Sequence, residues 1–189
     1  DCGNQDTCVQ RITLRDTTPP TITAPPSIVL DCTADYGTNV TGGAVAIDAC
    51  GEVILTYSDV ITNACGSAGS VVRTWTASDG YNTTSSVQVI TMRDATPPTI
   101  TCAGARTVMA AETWTFDEPT AVDTCGAALV SVLSTVTNQS QADRMVVTRT
   151  WQAADVCGNV ATCQQAITVV MPAPLIAPTI TTHPECQVA

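Results

Sequence analysis

The sequence predicts an all-β protein, antiparallel β-sandwiches in tandem, and three observations carry that expectation. First, hydrophobic residues make up 44% of the 189 but aromatics only 4%, so a core has to be built from Val, Ile, Leu and Ala around a few Trp. Thr is abundant beside Val and Ile, and such β-branched side chains are stiff about χ1 and suit a pleated surface. Second, short β-branched runs are punctuated by clusters of Pro, Gly, Asn and Asp, the spacing of sandwich strands and their turns. Third, the chain repeats itself.

The repeat is read from landmarks in order. "RDTTPPTIT" at Arg15–Thr23 returns as "RDATPPTIT" at Arg93–Thr101, 78 residues on. "AIDACG" ending at Gly51 answers to "AVDTCG" ending at Gly126, "VVRTWTASDGYN" to "VVTRTWQAADVCGN", and "VQVITM" to "QQAITVV". A third copy is divided between the two ends. "DCGNQDTCVQRIT" aligns with "DVCGNVATCQQAIT", placing Cys2 on Cys157 and Cys8 on Cys163, while "APTITTHPEC" resembles the opening of a further repeat. The expected organisation is therefore an orphan closing strand of a preceding or neighbouring repeat (1–16), repeat one (17–94), repeat two (95–173) and a tail like a first strand (174–189).

Within each repeat the central strand is the clearest element. In "VVRTWTAS", Val71, Arg73, Trp75 and Ala77 share one face; Val147, Arg149, Trp151 and Ala153 are the equivalent set. Trp75 and Trp151 are assigned to the core, supplying large apolar surfaces the domains otherwise lack. Pro19–Pro20 and Pro97–Pro98 lie between the last strand of one repeat and the first of the next. Proline fixes φ and removes a donor, so these pairs stiffen the junctions and favour a rod-like arrangement.

The "DxTPPTIT" linkers at Asp16 and Asp94, the "DxCG" turns at Asp48 and Asp123, the "RTW" strands at Arg73 and Arg149, and "CGNxxTCxQxIT" from Cys157 together resemble the hyalin-repeat family. The resemblance implies immunoglobulin-like sandwiches of secreted or surface proteins. Repeat one departs from the pattern, with "DGYN" in place of "DxCGN".

Charge and cysteine content narrow the function. The net charge is −10, and all seven basic residues are Arg, with no Lys to make isopeptide cross-links. So few cations argue against nucleic acid. No stretch approaches the ~18 apolar residues of a spanning helix, so no transmembrane segment is expected. Ten Cys with one His (His183) and no CxxC point to disulfides formed in an oxidising compartment rather than zinc. The pairs follow from joint presence. Cys102 and Cys163 are both replaced in repeat one, by Ala24 and Ser86, and so are paired. Cys32 and Cys65 occur only in repeat one and are paired, leaving Cys125 with Cys157. Cys2, Cys8, Cys50 and Cys186 remain as candidates for bonds between subunits, with Cys8 facing Cys186 of the next copy.

No catalytic constellation is expected: one tail His cannot complete a triad, and the carboxylates are spread along turns. No cofactor is called for. Calcium candidates are Asp16 and Asp94 at the junctions, with Asp48, Asp79, Asp123 and Asp155 in nearby turns; the simpler reading makes them turn caps. Sequons stand at Asn39, Asn82 and Asn138, all read as loops. The expected function is a structural subunit of an extracellular fibre or surface appendage. Its partners are copies of itself in a head-to-tail homopolymer, joined by addition of the N-terminal strand with Val9 and Ile12. The alternative is a rigid stalk section of a longer bacterial surface adhesin. A carbohydrate-binding module would need exposed aromatics, for which Trp114 and Phe116 are the main candidates left.

Overall fold

The computed structural model describes residues 2–172, so Cys186, His183 and the tail at 174–189 lie outside the described residues. By their contacts, residues divide into two units, Asp1–Ala95 with Thr124–Gly126, and Thr96–Asp123 with Ala127–Ala189.

Unit 1 holds β1 (Thr21–Thr23), β2 (Ile28–Asp31), a one-turn helix α1 (Thr38–Thr41), β3 (Val45–Ile47), β4 (Ile54–Cys65), β5 (Ala68–Ser78) and β6 (Thr83–Arg93). β1 pairs with β3, and the larger sheet runs β2-β6-β5-β4. Unit 2 repeats this plan with β7 (Thr99–Thr101), β8 (Arg106–Met109), β9 (Thr120–Val122), β10 (Ala128–Gln141), β11 (Arg144–Asp155) and β12 (Val160–Val170). There β7 pairs with β9, and the sheet runs β10-β11-β12-β8.

The expectation of purely antiparallel sandwiches is corrected. Among the described residues each unit has six strands, and the larger sheets are mixed: β2 runs parallel to β6, and β8 parallel to β12. The cause in unit 1 is local. After β1 the chain meets Pro25 and Pro26, which cannot donate to a ladder, and it leaves β3 to run beside the closing strand instead.

Alternation on the central strands decides the cores. Val71, Arg73, Trp75 and Ala77 of β5 are all buried, the face read from sequence, and Trp75 and Trp151 are only 5% and 4% exposed. Val71, Ile90 and Met92 form the centre of unit 1 with Ile28, Leu30 and Tyr36 packed on it. Val147, Ile167 and Val169 are the equivalent centre of unit 2, covered by Val108, Trp114, Phe116 and Met145. A fully buried glutamine sits beside each. Gln88 donates to the carbonyls of Pro26 and Thr41, and Gln165 to that of Gly104 and to the Asp117 carboxylate, tying the closing strand to the loops that cross it. The β5–β6 and β11–β12 turns each need a left-handed residue and have glycine there, Gly80 (φ 92°) and Gly158 (φ 93°).

Candidate functional site

An arginine on the buried face of an apolar strand has to be met by something, and the two units meet it differently. In unit 1, Arg73 is 1% exposed. Its Nε and Nη2 donate to the two oxygens of Asp59 at 2.8 Å each, Nη1 donates to Thr41 Oγ1 at 2.9 Å, and Nη2 also reaches the Tyr36 carbonyl at 3.1 Å. The guanidinium lies 4.5 Å from the Tyr57 ring centroid and 5.9 Å from that of Trp75. Asp59 stands directly opposite Arg73 in the β4–β5 ladder, which fixes the bidentate geometry. Hydrogen bonding to Asp59 raises the guanidinium's affinity for its proton still further, against the effect of burial.

Unit 2 keeps the arginine and loses the carboxylate. Arg149 faces Thr135 in the β10–β11 ladder, and Nε donates to Thr135 Oγ1 at 3.0 Å. The guanidinium stacks 4.3 Å from the Phe116 centroid and 5.9 Å from that of Trp151. Among the described residues no carboxylate pairs with it. Phe116 meets Trp114 and Trp151 edge-on, at 5.8 and 5.7 Å between centroids. These groups line a recess of about 490 Å³ with Glu118 and Val132. Sequence reading placed both arginines on the inner face but missed Asp59 and Thr135; the signal was there, since an Arg among Val, Trp and Ala on one strand face demands a partner.

The cysteines correct the joint-presence pairing. Cys102 and Cys163 are bonded. Cys32 is bonded to Cys125, with Cα atoms 5.9 Å apart, rather than to Cys65, and Cys125 is thereby not reserved for Cys157. Both Cys65 and Cys157 are disulfide-bonded as well. Joint presence tells which cysteines occur together; only distance tells which of them meet. Thr124–Gly126 belongs to unit 1 by its contacts, and the Ser67 N–H donates to the Cys125 carbonyl at 2.7 Å. Cys2, Cys8 and Cys50 are free and exposed.

Asp16, Asp48 and Cys50 gather in unit 1 with their ligating atoms within 4.8 Å of one another. Asp16, loss of hydration, Asp48 and Asp79 together push the Cys50 thiol up, which makes it a poor nucleophile. The carboxylates already cap turns: Asp16 accepts the Thr18 N–H, Asp48 that of Cys50, and Asp79 those of Tyr81 and Asn82. Asp155 does the same for Cys157 and Asn159. Asp94 is buried.

Of the sequons, Asn39 is exposed on α1 rather than in a loop, and Asn138 lies exposed within β10. The Asn82 amide donates to Asp79 and to the Thr18 carbonyl. Residues 2–20 take part in no ladder, and Val9, Ile12 and Leu14 are 97%, 75% and 93% exposed. No helix among the described residues is long and apolar enough to cross a membrane.

Two units of one strand plan, each built on a central arginine–tryptophan strand, define β-sandwich modules. Residues 93–169, essentially repeat two, match the HYR domain family. Similar solved structures include human protocadherin-24 EC1-2, at 12% identity over 81% of this chain and 99% of that one, with a TM-score of 0.37. Drosophila N-cadherin EC1-4 is 11% identical over 82% of this chain and 50% of that one, with a TM-score of 0.40. No curated protein matches the chain.

Proposed function

We propose that the protein is a structural subunit of an extracellular fibre or surface appendage. In this reading copies join head-to-tail, the N-terminal strand of one adding to a sheet of the next. The observation that carries it is the register of residues 2–14. Aligned on the closing strands, Gln10, Ile12 and Leu14 occupy the positions of Gln88, Ile90 and Met92, and of Gln165, Ile167 and Val169, all buried in their units. The N-terminal copy repeats this pattern, pairs in no ladder among the described residues and leaves Ile12 and Leu14 exposed, so burying them is worth roughly 1.5–3 kcal/mol each.

Open edges to receive a strand are available. β4 and β10 end their sheets, run 12 and 14 residues, and present Ile54, Val60 and Ile61, and Leu129, Leu133 and Val136, to solvent. Neither carries a Pro or Lys to block addition. The disulfides support an oxidising, extracellular setting. Cys2, Cys8 and Cys50 are free and exposed, which supports cross-links between copies, in this reading Cys8 with Cys186 of a neighbour. The role is non-catalytic and without a cofactor, and Asp16 serves a turn, accepting the Thr18 N–H, rather than calcium. A rigid stalk section of a longer bacterial surface adhesin is the alternative, and it shares every feature except self-assembly.

Electron microscopy and non-reducing electrophoresis of the purified chain separate the two. A fibre subunit gives filaments and a ladder of multimers, both lost on deleting residues 1–14. A discrete monomer, or filaments that survive the deletion, would sink strand addition.

A further inference from the structure

We infer that the recess around Arg149 binds a sugar ring bearing a carboxylate, a hexuronate. The argument starts from what the fold does with this arginine elsewhere. In unit 1 the Arg73 fork is filled by the planar carboxylate of Asp59, with Thr41 and Tyr36 taking the remaining donors. In unit 2 the ladder position of Asp59 is Thr135, and the hydroxyl takes only Nε. The two terminal nitrogens of Arg149, four N–H donors in a fixed plane, have no acceptor among the described residues. Stacking on Phe116 at 4.3 Å holds that plane still, so the fork is a preformed bidentate receptor awaiting a carboxylate.

The surroundings select what carries the carboxylate. The recess, about 490 Å³, is within the usual size of a small-molecule site. Trp114 and Phe116 are half-buried and offer aromatic surface to the C–H face of a ring, while Trp151 closes the floor. Glu118, exposed at the rim and not paired with Arg149, accepts hydrogen bonds from hydroxyls. An aliphatic acid would leave Glu118 without a donor, and a neutral sugar would leave the Arg149 fork unmet. A uronate satisfies both. The net charge of −10 repels anions, but beyond about 8 Å this is screened at physiological salt, so the local cation decides.

The test is titration of the intact, disulfide-bonded chain with sodium galacturonate, followed by NMR of the indole N–H and Arg149 Nε–H signals. Galactose and acetate are the comparison probes. Saturable shifts at Trp114, Trp151 and Arg149 are expected with galacturonate, with at least about tenfold weaker binding of either comparison probe. Thr135→Asp supplies the carboxylate internally, as Asp59 does in unit 1, and is expected to abolish binding with the spectrum of the fold retained; Arg149→Met loses it as well. The inference is overturned by absence of saturable shifts with galacturonate, by equal binding of galactose or acetate, or by binding that survives in Thr135→Asp. None of these outcomes depends on whether the chain assembles into fibres.

Discussion

Repeat one closes its arginine on a carboxylate of the neighbouring strand; repeat two leaves the same arginine on an aromatic wall beside an open recess. The ladder position is identical, Asp59 opposite Arg73 and Thr135 opposite Arg149. One side chain therefore separates a self-satisfied core from a candidate receptor. A buried guanidinium with both fork positions filled is a structural element, whereas one with free donors has capacity for a ligand. The repeats also differ in reinforcement. Repeat two ties its first strand region to its last strand through Cys102–Cys163, where repeat one has Ala24 and Ser86.

The largest expected effect breaks that reinforcement. Replacing Cys102 and Cys163 with Ala removes a bond across 61 residues and should cost unit 2 about 4 kcal/mol on the chain-entropy account. Calorimetry of the full chain should show one transition moved down and the other in place; movement of both together would mean that the units do not unfold independently. Asp59→Thr comes next, making repeat one resemble repeat two. It strips a guanidinium 1% exposed of its carboxylate and should destabilise unit 1 by about 3 kcal/mol. A loss below about 1 kcal/mol would show that the aromatic stack and Thr41 suffice.

The converse change, Thr135→Asp, is expected to be near neutral to stabilising by about 1 kcal/mol, because the new carboxylate meets a preformed fork at a less buried site. A fall in the unit 2 melting temperature would argue that Arg149 cannot adopt the Arg73 geometry. Acid should act on both repeats alike. Asp79 is held below the usual carboxylate range by the backbone and side-chain hydrogen bonds of Asn82. For Asp155, burial pushes upward but is outweighed by the bonds from Asn159, Cys157 and Gly158. Lowered folded-state values mean stability that is full above the unfolded pKa and is lost as pH falls below about 4. Thermal melts across pH 3–7 check this, and a loss centred near pH 6 would contradict it. The smallest effect is expected from a chelator: with Asp16, Asp48, Asp79 and Asp155 engaged as turn caps, EGTA should leave both transitions unchanged, and a drop on chelation would restore calcium as a ligand of Asp16 or Asp94.

Much of the architecture was legible because its signals are local. Alternation along "VVRTWTAS" depends only on the two-residue period of a strand, so the inner face including Arg73 and Trp75 could be read directly. The candidate receptor was legible only in pieces. Arg149, Trp151, Trp114 and Phe116 were each visible, but Thr135 matters only because β10 lies against β11 in one register, interrupted between Val132 and Ser134.

By itself, then, the sequence determined the repeat, its strands and the buried tryptophans, since periodicity and self-similarity are properties of the chain alone. The tertiary structure decided that β2 and β8 run parallel to the closing strands, that Cys32 meets Cys125, and that a carboxylate fills one arginine fork but not the other. Each of these is a choice between partners far apart in sequence, and such choices are made by distance in space, which no local pattern encodes.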